Sequence, residues 1–119
     1  MSRGAPAEIL RSGELEVRPS EFLVFARGRV LKLTKREQQM LAVMMRGEGR
    51  ILSREELYAL VWGKKLKPGD RTVDAYVRRL RSRLTEALPE STFIHTHFGF
   101  GYRYSPEPSG NAHSQVTSR

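Results

Sequence analysis

Five arginines and a single acid occupy the fourteen residues RTVDAYVRRLRSRL, from Arg71 to Leu84. Guanidinium groups offer planar forks of N–H donors that fit phosphate oxygens and the O6/N7 edge of guanine. Arginine density of this kind therefore suggests recognition of a polyanion. Val73, Val77, Leu80 and Leu84 recur at helical spacing in the same stretch and predict a buried stripe. Thr72, Ala75, Tyr76, Arg79 and Arg83 fall on the opposite side and along one flank. Small residues near the start of a helix permit close approach to a nucleic-acid groove, and arginines further along can read or grip it. A solvated, charged helix face is the competing reading. Residues 64–103 hold nine Lys/Arg against four acids, more one-sided than solvation needs. Asp74 lies close to Arg81 on the wheel and one turn before Arg78, so those two arginines are expected to be partly structural, paired with Asp74 or Glu56.

The whole chain agrees in sign. Its 119 residues carry a formal charge of +8, with 21 Lys+Arg against 13 Asp+Glu. That length suits one domain with a modest core. The absence of cysteine excludes a disulfide scaffold and thiolate zinc sites. No apolar run is long enough to cross a bilayer, and MSRGAPAEIL lacks a signal-peptide core. A soluble, cytoplasmic protein is expected, with no membrane partner.

The elements that must position the arginine helix can be read from period and punctuation. ELEV (14–17), FLVF (22–25) and VLKL (30–33) predict a small antiparallel meander, with a tight reversal at Arg27-Gly28-Arg29. Thr34 with Glu37, and Ser53 with Glu56, form capping boxes for two helices. Gly47 or Gly49 ends the first. Gly63 ends the second, whose apolar face is Leu57, Leu60 and Val61. Arg50, Ile51 and Leu52 read as a short link between them. After the basic loop KKLKPG, Asp70 is placed as the N-cap of the third helix, about 71–86, and Pro89 closes that region. FIHTHF and GYRY predict a hairpin. Residues 1–8 read as a linker remnant, 9–104 as the folded domain, and 105–119 as a disordered tail.

The order of elements, with SREELYALVWG, RTVDAYVRRLRSRL and FIHTHFGFGYRY in succession, resembles the C-terminal winged-helix effector domain of OmpR/PhoB-type response regulators. The likeness covers roughly residues 14–104. It implies an α+β fold: an N-terminal antiparallel sheet of four strands (a first one near Glu8–Leu10), a three-helix bundle with a helix-turn-helix, and a C-terminal hairpin wing. It implies sequence-specific binding of double-stranded DNA by a transcriptional regulator, with two copies head-to-tail on direct repeats. Thr72, Ala75, Tyr76 and Arg79 would then face bases in the major groove. Arg54, Arg71, Trp62 and Tyr102 would hold phosphates, with Arg83, Thr96 and His97 beside them. Lys64, Lys65 and Lys67 lie in the loop through which such regulators touch RNA polymerase, and their charge suits DNA equally. A phosphorylated receiver domain is expected upstream, although the same effector fold also occurs joined to other modules.

One departure stands out. Family members often carry a wing-tip arginine, whereas Phe98 occupies the place here, beside His97 and before Phe100. Core packing is the expected role of Phe98. Trp62 and Tyr102 are expected to be half-buried with their polar tips outward. His95 and His97 share a strand face, but no cysteine or third ligand accompanies them, so no metal and no cofactor is expected. No phosphate-cradling glycine loop or nucleophile motif points to an enzyme. The principal rival is an RNA-binding or ribosome-associated basic domain. It needs aromatics displayed together on a sheet, and Phe22 and Phe25 at odd spacing would fall on opposite faces.

Overall fold

A computed structural model describes residues 7–109. Four short strands, β1 (Leu10–Ser12), β2 (Leu15–Arg18), β3 (Leu23–Ala26) and β4 (Arg29–Val30), form an antiparallel sheet in chain order. Alternation sets its faces: Leu15, Val17 and Val24 are wholly buried, while Glu16 and Arg18 sit between them on the other side. The reversal between β3 and β4 has Arg27 and Gly28 at positive φ (55° and 77°), the two-residue turn whose twist matches the strands. Two strand expectations need trimming. Phe22 takes a left-handed conformation after a 3₁₀ turn, so β3 starts at Leu23. The pairing expected through residue 33 stops at Val30, apart from the Leu31 N–H to Val24 carbonyl bond of 2.8 Å.

Both capping boxes are present. Thr34 Oγ1 accepts from Glu37 N–H (3.1 Å) and Glu37 Oε1 from Thr34 N–H (2.9 Å), opening α1 (Lys35–Arg46). Ser53 and Glu56 repeat the exchange at 3.0 and 2.8 Å for α2 (Arg54–Trp62). Gly47 caps α1, and Gly63, at φ 72°, ends α2 in the left-handed conformation glycine adopts freely. Leu57 and Val61 enter the core, but Leu60 does not: its side chain turns outward between α1 and α2, 63% exposed. The third helix, α3 (Thr72–Ala87), starts one residue later than expected, with Arg71 at the cap position. Asp70 still supplies the capping oxygen, since its Oδ1 accepts from Thr72 N–H at 2.8 Å. Leu88, at φ −136° and ψ 70° before Pro89, leaves the helical conformation and ends the helix.

The second sheet has the order β5-β7-β6, from β5 (Ile51–Leu52), β6 (Ser91–His97) and β7 (Gly101–Pro108). The residues read as a link are thus a strand, because Leu52 pairs with Tyr102 and Ile51 with Arg103. Two residues show no period, so only the pairing reveals it. Residues 105–109, expected to open a disordered tail, instead belong to the fold: β7 runs to Pro108, and Ser109 N–H donates to Glu90 O. Residues 1–6 of the expected linker and 110–119 of the expected tail lie outside the described residues. At Gly101 any Cβ would stand 2.1 Å from Leu52 O, and φ is 143°, so only glycine lets the start of β7 lie this close to β5. Between the two sheets, the stripe Val73, Val77, Leu80 and Leu84 meets Met40, Leu41, Met44 and Leu57, all at most 2% exposed. That packing fixes the rotation of α3, and with it which residues face outward.

Candidate nucleic-acid interface

On the outer face of α3, Thr72, Ala75 and Tyr76 are half-buried and Arg79 is exposed. Thr72 Oγ1 donates to Asp70 Oδ1 at 2.6 Å, which leaves the hydroxyl oxygen free to accept. The Tyr76 ring meets Trp62 edge-on at 5.1 Å, and Trp62 stacks on Tyr58 at 4.8 Å. Arg79 Cζ lies 4.8 Å from the centre of the Tyr76 ring. A guanidinium resting on an aromatic face is held yet keeps its in-plane donors. Among the described residues, no carboxylate pairs with Arg79. Trp62 is half-buried as expected, and Arg36 covers its ring at 5.2 Å while donating to Val61 O at 2.9 Å.

Under the first turn of α3 the charges converge on Asp74. Its Oδ1 accepts from Arg54 Nε at 2.7 Å and from the Tyr102 hydroxyl. Arg71 Nε stands 3.2 Å from Oδ2 as an ion pair, without hydrogen-bond alignment. Burial pushes the Asp74 carboxyl up, but bonds from Tyr102 and Arg54 and the charges of Arg54 and Arg71 outweigh it, and the group titrates below its ordinary value. The Arg54 guanidinium is raised by the same bond. Burial first, then Asp74, raises the Tyr102 hydroxyl. Tyr102 therefore departs from expectation. It is 5% exposed, and its polar tip points inward to Asp74 rather than outward to solvent.

Arg81 is structural, as expected, but through other partners. Nε donates to Ile94 O at 3.1 Å and Nη2 to Thr96 Oγ1 at 2.5 Å, tying α3 to β6 instead of pairing with Asp74 or Glu56. Arg78 makes no ion pair with either acid. Thr96 is thus engaged by Arg81. Arg103 Nε donates to His97 Nε2 at 3.0 Å, and His95 Nε2 bonds Ser105 O at 2.7 Å, so the two imidazoles serve separate strand contacts. Among the described residues there is no cluster of three metal-ligating side chains. Arg83 Nη1 donates to Lys32 O at 2.8 Å, linking α3 to the segment before α1.

At the wing tip the core expectation for Phe98 fails: its side chain is 88% exposed and that of Phe100 72%. The turn closes tightly, with Phe100 N–H on His97 O at 2.8 Å and Gly99 at φ 83°, and so carries both rings past the bundle. Lys64, Lys65 and Lys67 are exposed in the loop leading to α3. The structure thus gathers Thr72, Ala75, Tyr76, Arg79 and Trp62 on one face, with Arg54 and Arg71 at its edge. Arg83, Thr96, His97 and Tyr102 are near it but bonded internally. Sequence reasoning missed Asp74 as the hub. The i, i+3 spacing of Arg71 and Asp74 was a local signal for half of it, whereas Arg54 and Tyr102 come from elements far along the chain.

Residues 28–104 match the family model described as "Transcriptional regulatory protein, C terminal". The chain is 37% identical over 94 residues to transcriptional regulatory protein AfsQ1 of Streptomyces coelicolor, covering 79% of this chain and 42% of that protein. It is 32% identical over 97 residues to CreB of Escherichia coli, covering 82% and 42% respectively. It therefore spans about two fifths of such relatives. Among solved structures, the DNA-binding domain of Escherichia coli CpxR superposes with a TM-score of 0.76 at 28% identity, covering 83% of this chain and 97% of that one. The Klebsiella pneumoniae RstA DNA-binding domain, solved in complex with its RstA box, gives 0.74 at 26% identity, covering 82% and 97%. With the helix-turn-helix, wing and cationic α3 face, these likenesses establish that the chain belongs to the winged-helix, DNA-binding C-terminal domains of OmpR/PhoB-type response regulators.

Proposed function

We propose that this domain is the DNA-reading output of a transcriptional regulator, with α3 lying in the major groove of a specific duplex site. Thr72, Ala75, Tyr76 and Arg79 meet base edges; Arg54, Arg71 and Trp62 hold backbone phosphates that set the register. The observation that carries this reading is Arg79: exposed, unpaired with acid, and steadied on the Tyr76–Trp62 aromatic pair at the centre of the gathered face. That the similar RstA domain is solved in complex with its RstA box supports DNA as the ligand. Lys64, Lys65 and Lys67 add phosphate contacts or meet RNA polymerase. Two copies bind head-to-tail on direct repeats, in the cytoplasm, under the control of a receiver domain elsewhere in the protein. Thr96 and His97 accept from Arg81 and Arg103, and Arg83 spends one donor on Lys32, so the Thr96 hydroxyl hydrogen, the His97 Nδ1–H and the other Arg83 donors serve phosphate, while Tyr102 acts through Asp74.

The RNA-binding alternative draws no comparable support. Phe22 lies under Lys35 at 4.7 Å and Phe25 under Arg18 at 5.2 Å, so neither is offered as a stacking platform. Titration against random duplex DNA and single-stranded RNA of equal length, at several salt concentrations, tests the choice. Duplex preference is expected, with log affinity falling about 0.9 per phosphate neutralised against log salt. Equal or stronger binding to the single-stranded RNA would reject the proposal.

A further inference from the structure

Asp74 stands where a DNA-binding face should least tolerate it. A carboxylate beside Ala75 and Tyr76 repels phosphate, and the simplest electrostatic reading makes it a brake on binding. The geometry points to the opposite: we infer that Asp74 is a positioning residue for DNA binding, tethering Arg54 and, more loosely, Arg71 so that their free donor edges face the backbone. This rests on the phosphate role proposed above for Arg54.

Arg54 is hydrogen-bonded to Asp74 through Nε at 2.7 Å, and the shortest approach of Arg71 to Asp74 is also through Nε, at 3.2 Å. A guanidinium carries five N–H donors in a rigid fork, of which Nε supplies one. Among the described residues, the Nη atoms of Arg54 and Arg71 donate to no protein group. Arg54 is therefore anchored by its inner nitrogen and presents an outer Nη1–Nη2 edge that can grip a phosphate bidentately, while Arg71 is drawn to the same carboxylate by charge alone. Asp74 is itself fixed. Its side chain is 14% exposed, and Tyr102, from β7, donates to the same oxygen that Arg54 uses. The Tyr102 ring also lies 5.5 Å below the Arg54 guanidinium, limiting its swing. Helix α2, helix α3 and the wing thus meet in one joint, and a free arginine would lose rotamer freedom on binding that Arg54 has already lost.

The two readings of Asp74 predict opposite signs. Affinity for random duplex DNA and its salt slope would be measured for the wild type, Asp74→Asn, Arg54→Ala, the double variant and Arg54→Lys, with thermal melts beside each. Although Asp74→Asn removes a negative charge, it is expected to bind roughly three- to tenfold more weakly, and to add a much smaller loss in the Arg54→Ala background, where only the looser hold on Arg71 remains. Unchanged or tighter binding by folded Asp74→Asn would overturn the inference, as would an undiminished loss when Arg54 is already alanine. Arg54→Lys keeps the charge and the partner of Asp74 but lacks the separate outer edge. It should bind almost as weakly as Arg54→Ala, and wild-type binding by it would also overturn the inference. Should Asp74→Asn fail to fold, Arg54→Lys decides. An Arg54→Ala protein with wild-type affinity and slope would instead reject the phosphate role itself, and the inference with it.

Discussion

The N-terminal sheet and the α3 face use the same residue to different ends. On the sheet, Arg11 and Arg18 pair with Glu16, Arg18 also with Glu21, and Arg27 with Glu14 and Glu90. On and around α3, Arg79, Lys64, Lys65 and Lys67 have no acid partner among the described residues, and Arg54 and Arg71 share the single Asp74. The net charge of +8 is therefore not spread evenly: the sheet largely neutralises itself and the helix face carries an excess. Arginine content alone says little. Where the acids lie decides whether a guanidinium closes a surface or waits for a polyanion.

The comparison can be broken at its foundation first. Leu80 is wholly buried beneath the helix face, and Leu80→Ala is expected to cost about 2–5 kcal/mol of stability, loosening α3 and abolishing site-specific binding; denaturant unfolding measures it. Next, Arg79→Ala should cost about 1–3 kcal/mol on the preferred site and relax base preference there, while random duplex loses far less. Competition binding with single-base variants of the site reads this out, and equal loss on all sequences would show Arg79 to be a phosphate contact.

A smaller effect separates burial from charge. Tyr104 on β7 is 1% exposed, and burial pushes its hydroxyl up from 10.0 to about 12. A raised folded value means the contribution is fully present below pH 10 and is lost as pH rises toward 12. Stability should fall by on the order of 1 kcal/mol by about pH 11, and Tyr104→Phe should remove that alkaline loss, followed by melting temperature against pH. Least of all, Arg27→Ala, on the self-neutralised sheet, should change stability by about 0–1 kcal/mol and leave duplex affinity near wild type. A loss of affinity matching that of Arg79→Ala would erase the distinction between the two regions.

Local signals explain why so much of the fold was legible. A capping box satisfies backbone donors within four residues, so Thr34–Glu37 and Ser53–Glu56 announce their helices without tertiary help. The stripe from Val73 to Leu84 likewise fixes which side of α3 turns inward, and hence the exposed side holding Arg79. Leu60 and Phe98 defeated the same reasoning, because hydrophobicity marks what can be buried but not whether neighbouring elements cover it. β5 was invisible because two residues have no period, and its partner lies fifty residues along the chain.

The sequence by itself determined the order of elements, the orientation of the recognition helix and the excess of positive charge, since each rests on spacing within a few residues. Only the tertiary structure decided which arginines are occupied. Arg81 found Ile94 and Thr96, Arg83 found Lys32, and Arg54 met Asp74 and Tyr102 in a joint of three distant elements. A side chain's type sets what it can bond, but a bond needs a partner about 3 Å away, and only folding brings distant residues that close.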